Sequence, residues 1–320
     1  MVAISDFVKI QKNDSCKHLA TGMRYPNFVQ WSGFVIPEFA NIGLLHAGCD
    51  EDLALRRELG NYARVRMASS FDVLTLFCAS LSESISENVK EVNGTIDVDF
   101  LAQCKNATEF LDIVKTLTEK YTDKITFHPF LGIHSDKENN LPLATMLLDS
   151  GLFEGIELYG STYAENPEKF LEIFKMARNM NMKSRICCLG FRTLPDRDSI
   201  FEIMLNLKPT HLMNPNIAIN NDGLRIFKNG TLYPEVCDFI KDHNVHIEFS
   251  PAPILSGKKG EQKAQIIRAF AENDISFSLC TEDMLFLNKS ISEFATDLCN
   301  TGVFSVEEMS QLISDTPSAT

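Results

Sequence analysis

Residues 153–189 read FEGIELYGSTYAENPEKFLEIFKMARNMNMKSRICCL, and this stretch predicts a strand, a helix and a second strand in that order. Residues 153–159 and 184–189 are short apolar runs typical of strands. Residues 167–179 have a helical pattern, with Asn166 as a predicted N-cap and Pro167 in the first turn. Their apolar residues fall on one helical face: Phe170, Leu171, Ile173, Phe174 and Ala177. A strand, an amphipathic helix and a strand form the βαβ unit of parallel sheets.

The same alternation is visible from about residue 125 onward. The predicted strands are 125–130, 153–159, 184–189, 211–213, 245–249 and 276–280. The predicted helices are 144–149, 167–179, 199–207, 233–242 and 262–273. Units repeating at roughly 30-residue spacing predict an α/β fold, a (β/α)8 TIM-type barrel whose chemistry collects at the C-terminal ends of the strands. A doubly wound open sheet is the alternative, but the chain has no G-x-G-x-x-G segment and no P-loop.

The first third of the chain has a different pattern. Residues 53–68 and 71–89 read as helices with no clear strand between them, and residues 94–98 form only a weak strand pattern. We interpret this part as a helical insertion in the barrel. Residues 1–313 are predicted to form a single domain, and residues 314–320 a disordered tail.

Charge and composition narrow the classes of partner. Thirty Lys and Arg against 43 Asp and Glu give a net charge of −13, which repels nucleic acid and anionic lipid surfaces. No apolar run reaches the roughly 20 residues of a spanning helix, and residues 1–14 lack a signal-peptide core. Nine scattered cysteines in such a chain indicate reduced thiols. We therefore expect a cytoplasmic protein that binds neither nucleic acid nor membrane.

The ends of the predicted strands collect side chains that bind metals or move protons. They are Asp14-Ser15-Cys16-Lys17-His18, Cys187-Cys188-Leu189-Gly190-Phe191, Met213-Asn214-Pro215, Ser250-Pro251 and Thr281-Glu282-Asp283. Further segments complete a recognisable order: Lys12-Asn13-Asp14, Trp31-Ser32-Gly33, Ile36-Pro37, residues 155–160 (GIELYG) and residues 281–286 (TEDMLF). In this order they resemble the adenosine deaminase family of the metal-dependent amidohydrolases. The resemblance covers nearly the whole chain and is closest from about residue 125 to residue 313.

The resemblance implies a metal site. In the family, zinc is bound by a His-x-His on the first strand, by the His of a His-x-Gly-Glu segment and by the first Asp of Thr-Asp-Asp. The corresponding residues are Cys16, His18, Cys188 and Glu282. All four side chains are able to coordinate zinc, so the predicted cofactor is zinc or none. From the residues alone, Cys188 also reads as a core residue, and Glu282 as a solvated carboxylate at the barrel mouth.

The same resemblance predicts a loss of proton-transfer groups. The family's Glu of His-x-Gly-Glu is replaced by Phe191, and its further His by Asn214, or by Met213 in a register shifted by one. Asp283 matches the second Asp of the family motif, and we predict that it is a catalytic or ligand-binding group. Gly160 is predicted to bind ligand, although the family's Gly-Asp-Glu reads Gly160-Ser161-Thr162 here.

Our leading hypothesis is an adenosine deaminase-like pseudoenzyme that has lost purine deaminase activity. It would bind a purine-like small molecule or a protein partner in the pocket that corresponds to the family's active site. The alternative is an active zinc-dependent hydrolase acting on C–N bonds, with Asp283 as its base. A barrel retained for a homo-oligomeric interface is a third hypothesis. The sequence leaves open whether the protein is an enzyme.

Overall fold

Eight parallel strands form the frame of the protein in a computed structural model. The structure describes residues 2–33, 66–160, 162–188, 197–215, 219–220, 223–224, 227–228, 231–251 and 258–314. The strands pair in sequence order and are β1 Lys12–His18, β2 Val89–Asp97, β3 Thr126–His134, β4 Gly155–Tyr159, β5 Lys183–Cys187, β6 His211–Met213, β7 His246–Phe249 and β8 Phe277–Leu279.

The two edges of this sheet meet just beyond β8. The backbone N–H of Glu282 donates to the Cys16 carbonyl over 2.8 Å, and the N–H of His18 donates to the Glu282 carbonyl over 3.0 Å. A parallel bridge between Lys17 and Glu282 results. The sheet is therefore a nearly closed (β/α)8 TIM-type barrel, which confirms the predicted fold class.

Helices alternate with the strands and cover the outside of the barrel. They are α1 Ser5–Val8, α2 Tyr25–Ser32, α3 Ser70–Ser86, α4 Ala107–Lys120, α5 Leu141–Leu148, α6 Leu171–Asn179, α7 Arg197–Leu207, α8 Pro234–Asp242, α9 Lys258–Glu272, α10 Met284–Leu287, α11 Ile291–Asn300 and α12 Val306–Ser314. Short 3-10 turns occur at Val98–Gln103, Glu138–Asn140, Thr162–Ala164 and Pro167–Phe170. Four two-residue strands form two antiparallel pairs. Ile219–Asn220 pairs with Gly223–Leu224, and Phe227–Lys228 pairs with Thr231–Leu232. None of the helices in the described part of the chain is long and apolar enough to span a bilayer.

The stretch quoted first folds as predicted, with one correction at the start of its helix. Strands β4 and β5 flank α6, whose residues Ile173, Phe174 and Ala177 are buried. The first turn after Asn166 is 3-10, and the Asn166 side chain makes no capping hydrogen bond. Backbone bonds within this turn therefore replace the predicted side-chain cap.

The first third contains a longer strand than the sequence predicts. The helix predicted over 71–89 is α3 and ends at Ser86, and β2 runs from Val89 to Asp97. Gly94 weakens the strand pattern but is needed there, because a Cβ at this position would lie 2.5 Å from the Phe127 ring. Residues 53–65 of the other predicted helix lie outside the described residues.

Two apolar clusters fill the molecule. The larger lies between the barrel and its helices and includes the buried residues of α3, α4 and α11. The smaller consists of Cys16, Cys187, Met213 and Cys280, with Tyr159 packed against it. Because these residues come from the C-terminal ends of strands on opposite sides of the barrel, the smaller cluster lies in the barrel lumen.

Candidate functional site

Three potential metal ligands converge at the C-terminal ends of β1 and β4. Cys16 and His18 lie two residues apart on β1 and share its inward face, and Glu157 projects from β4. His18 Nε2 lies 3.0 Å from Glu157 Oε1, and Cys16 Sγ lies 3.9 Å from Glu157 Oε2. The ligand atoms of these three residues all lie within 4.8 Å of one another. The structure therefore brings two of the predicted metal ligands together and adds Glu157.

A buried ionic network lies beneath this group. The Arg185 guanidinium donates to Glu157 Oε2 over 2.9 Å and to the two Glu248 oxygens over 2.5 and 3.0 Å. Thr95 also donates to Glu157, and Arg185 donates to the Ser15 carbonyl. The side chains of Arg185, Glu157 and Glu248 are fully buried. Inward positions on β4, β5 and β7 produce this layer, because Glu157, Arg185 and Glu248 are all buried within their strands.

Burial and the charges of this network together shift the pKa values of Glu157, Glu248 and His18. Burial alone would raise the pKa of Glu157, but the charges of His18 and Arg185 outweigh burial and lower it. Burial opposes the charge on His18, yet Glu157 and Asp283 raise the pKa of His18 to about 10. Burial raises the pKa of Glu248 to about 7, against the lowering effect of Arg185. In the absence of a metal, His18 and Glu157 thus form a charged pair at neutral pH.

Glu282 and Asn214 form a separate hydrogen-bonded pair at the ends of β8 and β6. Asn214 Nδ2 donates to Glu282 Oε2 over 3.0 Å and lies 2.9 Å from Ser250 Oγ. Ser250 Oγ donates to the same Glu282 oxygen over 2.5 Å, and Ser250 N donates to Asn214 Oδ1 over 2.9 Å. Asn214 and Glu282 both have left-handed backbone conformations, with φ of 53° at each. Burial lowers the pKa of nearby Lys263 to about 7, although Glu282 favours its charged form.

The other predicted site residues lie in different surroundings. Asp283 lies at the start of α10 and accepts a hydrogen bond from Thr21 Oγ1. Gly160 ends β4 with φ of +100°, and a Cβ there would meet Ser135 Oγ at 2.5 Å, so glycine is required. Cys188 is fully buried in the larger apolar cluster, and its burial raises the pKa of its thiol. Cys188 and Glu282 do not belong to the converging group. Phe191, at the family's Glu position, lies outside the described residues.

The converging donors fit zinc by their chemistry. A thiolate, an imidazole and a carboxylate are the ligand types of zinc sites, and three protein ligands leave a position open, as in catalytic sites. Zinc held by Cys16, His18 and Glu157 would supply Lewis acidity at the barrel mouth. Arg185 and Thr95 would then orient Glu157 from below, because both donate to its Oε2 oxygen.

Glu157, Arg185, Glu248 and Thr95 were missed by the sequence analysis. A usable signal was present, because a charged residue inside a short buried strand needs a polar or charged partner. Glu157 in GIELY, Arg185 in KSRIC and Glu248 in HIEF all show it.

Comparisons with known proteins agree with this architecture. No protein-family model matches the chain. A curated relative from Treponema pallidum (strain Nichols), provisionally named adenosine/adenine deaminase, is 28% identical over 297 residues, covering 91% of this chain and 92% of the relative. This similarity extends over nearly the whole chain and confirms its resemblance to the adenosine deaminase family.

Solved structures share the barrel fold of this chain. An ADAL–IMP complex matches with a TM-score of 0.69 at 15% identity, covering 97% of this chain and 92% of that one. The N6-methyl-AMP deaminase of Arabidopsis thaliana matches with a TM-score of 0.68 at 14% identity, with coverages of 97% and 92%. A zinc-bound amidohydrolase from Burkhoderia ambifaria matches with a TM-score of 0.62 at 13% identity, with coverages of 97% and 90%. At these identities the matches establish the barrel architecture alone.

Proposed function

We propose that this adenosine deaminase-like protein binds a purine-like small molecule at the C-terminal mouth of its barrel without deaminating it. One observation carries the proposal: Asn214, which the resemblance aligns with the family's histidine, is a buried amide bonded to Glu282 and Ser250. An amide does not exchange protons with a substrate near neutral pH. The amide therefore positions Glu282 but supplies no general acid or base.

The second proton-transfer position supports the same conclusion. Phe191 stands where the family has the Glu of His-x-Gly-Glu, and a phenyl ring has no proton to transfer. Loss of one general acid or base costs about a hundred- to ten-thousand-fold in rate. Two losses in the same reaction leave too little catalysis for a working deaminase.

Retained features of the mouth support ligand binding. Asp283 and Gly160 remain at the family's ligand-contacting positions, and Tyr159 stands between the rings of His18 and His134 at centroid distances of 5.1 and 5.0 Å. Solved neighbours of the same fold are complexes with IMP and with GMP. A flat, polar heterocycle suits this combination of aromatic edge, carboxylate and closely approachable backbone.

The test combines a binding assay with a product assay. The full chain is titrated calorimetrically with IMP and GMP. Release of ammonia from adenosine and adenine, and of methylamine from N6-methyl-AMP, is followed in parallel. We expect binding of at least one of the two nucleotides, loss of that binding in Asp283→Ala, and no amine released from any substrate. Asp149→Ala, on an exposed carboxylate at the end of α5, is the matched control and should bind normally. Release of ammonia or methylamine, or no binding of either nucleotide, would contradict the proposal.

A second candidate function is a zinc-dependent hydrolase, favoured by the convergence of Cys16, His18 and Glu157. Cys188 and Glu282 remain the other proposed ligands on the ground of the resemblance, and Asp283 would be the base. Metal analysis of protein purified under reducing conditions without chelator tests it. One equivalent of zinc that is lost in Cys16→Ala and in Glu157→Gln would favour the hydrolase. Absence of zinc would leave the binding function alone.

A further inference from the structure

Sulfur atoms from four strand ends meet in the barrel lumen. Cys16 lies on β1, Cys187 ends β5, Met213 ends β6 and Cys280 follows β8, and all four are buried. These residues form a cluster of their own, separate from the larger apolar core. The neighbouring Cys188 belongs to that larger core instead. The strand geometry therefore selects particular sulfur-bearing side chains for the lumen.

Cys16 is at the centre of this cluster. Its thiol lies 3.1 Å from the Met213 thioether sulfur and also hydrogen-bonds to the Cys280 sulfur. The backbone fixes this arrangement, because the Cys16 carbonyl accepts the N–H of Glu282 where the barrel closes. Two thiols and a thioether are thus held together by three different strand ends.

We propose that Cys16, Cys280 and Met213 form a binding site for one soft monovalent d10 cation of the Cu(I) type. Thiolate and thioether sulfurs are the ligands that select such ions over harder ones. Each cysteine that binds the ion releases its proton to solvent, and no group changes its oxidation state.

The site is distinct from the Cys16, His18 and Glu157 group in its donors and in its preferred ion. His18 and Glu157 supply nitrogen and oxygen ligands and already pair with each other over 3.0 Å. Cys16 is shared, so the two sites exclude each other and the type of ion decides which of them forms. The proposal does not depend on purine binding, which involves Asp283.

The experiment is an anaerobic Cu(I) titration of the reduced full chain against a chromophoric Cu(I) chelator. We expect one tightly bound equivalent, and loss of that equivalent in Cys16→Ser and in Cys280→Ser. Cys237→Ser is the matched control, because Cys237 is also buried but belongs to the larger apolar core, and it should bind like the wild type. Excess Zn(II) should not displace the bound Cu(I). Displacement by Zn(II), or an equal loss in Cys237→Ser, would overturn the proposal.

A second measurement covers variants that fail to fold. X-ray absorption at the copper edge of the wild-type complex should show a shell of sulfur ligands only. Nitrogen or oxygen in that shell would assign the ion to His18 or Glu157 and overturn the proposal. A protein that binds no Cu(I) and has lost two protons by mass would contain a disulfide in place of the site, which also overturns it. Nucleotide binding measured on the same sample keeps this result separate from the proposed function.

Discussion

Replacing Arg185 with methionine should destabilise the protein severely, because Arg185 is the cation that offsets two buried carboxylates. Its guanidinium donates to Glu157 and Glu248 over 2.5–3.0 Å, and its Cζ lies 4.4 Å from the centre of the Phe130 ring. Removing one partner of a buried ion pair costs about 3–5 kcal/mol. Since a domain of this kind has about 5–15 kcal/mol of unfolding free energy in total, a large share should be lost.

The assay is urea unfolding at several pH values with linear extrapolation. Burial raises the pKa of Glu248 to about 7 even beside Arg185, and this pKa should rise further without the guanidinium. A carboxyl with a raised folded-state pKa is protonated more readily in the folded state, so its unfavourable charge is absent at low pH. The loss in Arg185→Met should therefore be larger at pH 8 than at pH 5, and Glu248→Gln in the same chain should restore part of it.

Arg268→Met is the matched control for this experiment. Arg268 also pairs with a carboxylate, Glu308, over 2.9 Å and lies 4.2 Å from the centre of the Phe304 ring, but its pair is partly exposed. Such pairs contribute about 0–1 kcal/mol. Equal losses in the two variants, or a loss in Arg185→Met that does not depend on pH, would refute the ionic account of the lumen.

Further predictions concern pH, packing, capping and catalysis. Burial lowers the pKa of His246 to about 4, so the free energy of unfolding should fall by up to about 3 kcal/mol as the pH drops from 6.5 to 4. His246→Gln should flatten this pH profile of stability in acid titrations. His243→Gln, at an exposed histidine, should leave the profile unchanged. Gly94→Ala should lose about 1–3 kcal/mol in urea, because its Cβ would collide with Phe127; unchanged stability would contradict the close approach. Ser290→Ala should lose about 1 kcal/mol in thermal unfolding, because Ser290 and Glu293 form a reciprocal capping box on α11. Phe191→Glu alone should release no ammonia from adenosine, since Asn214 is still not a proton carrier; activity in that variant would refute the proposed loss of function.

The barrel was predictable because its second half repeats one local pattern. Strand His211–Met213 has the predicted bounds, and β4 and β5 lie within one or two residues of theirs. The sequence pattern did not predict the full length of β2, because Gly94 interrupts its apolar residues. The glycine is needed there because the Phe127 ring leaves no room for a Cβ. Local propensity does not record the space that a distant side chain occupies.

The candidate site was predictable only where two proposed ligands lie on one strand. Cys16 and His18 share a face of β1, so their proximity follows from the strand period alone. Glu157 joins them from β4, a contact between residues 139 positions apart that depends on barrel closure. Which of Cys187 and Cys188 faces the lumen depended on the register at the end of β5, and Cys187 is the one that joins the lumen cluster.

The central claim is that the barrel binds a purine-like molecule and performs no deamination. The most direct measurement incubates the full chain with N6-methyl-AMP, separates bound from free nucleotide, and analyses both fractions by mass spectrometry. The account predicts unchanged nucleotide in a bound fraction that disappears in Asp283→Ala. Conversion to IMP, or no bound nucleotide in the wild-type sample, would contradict it.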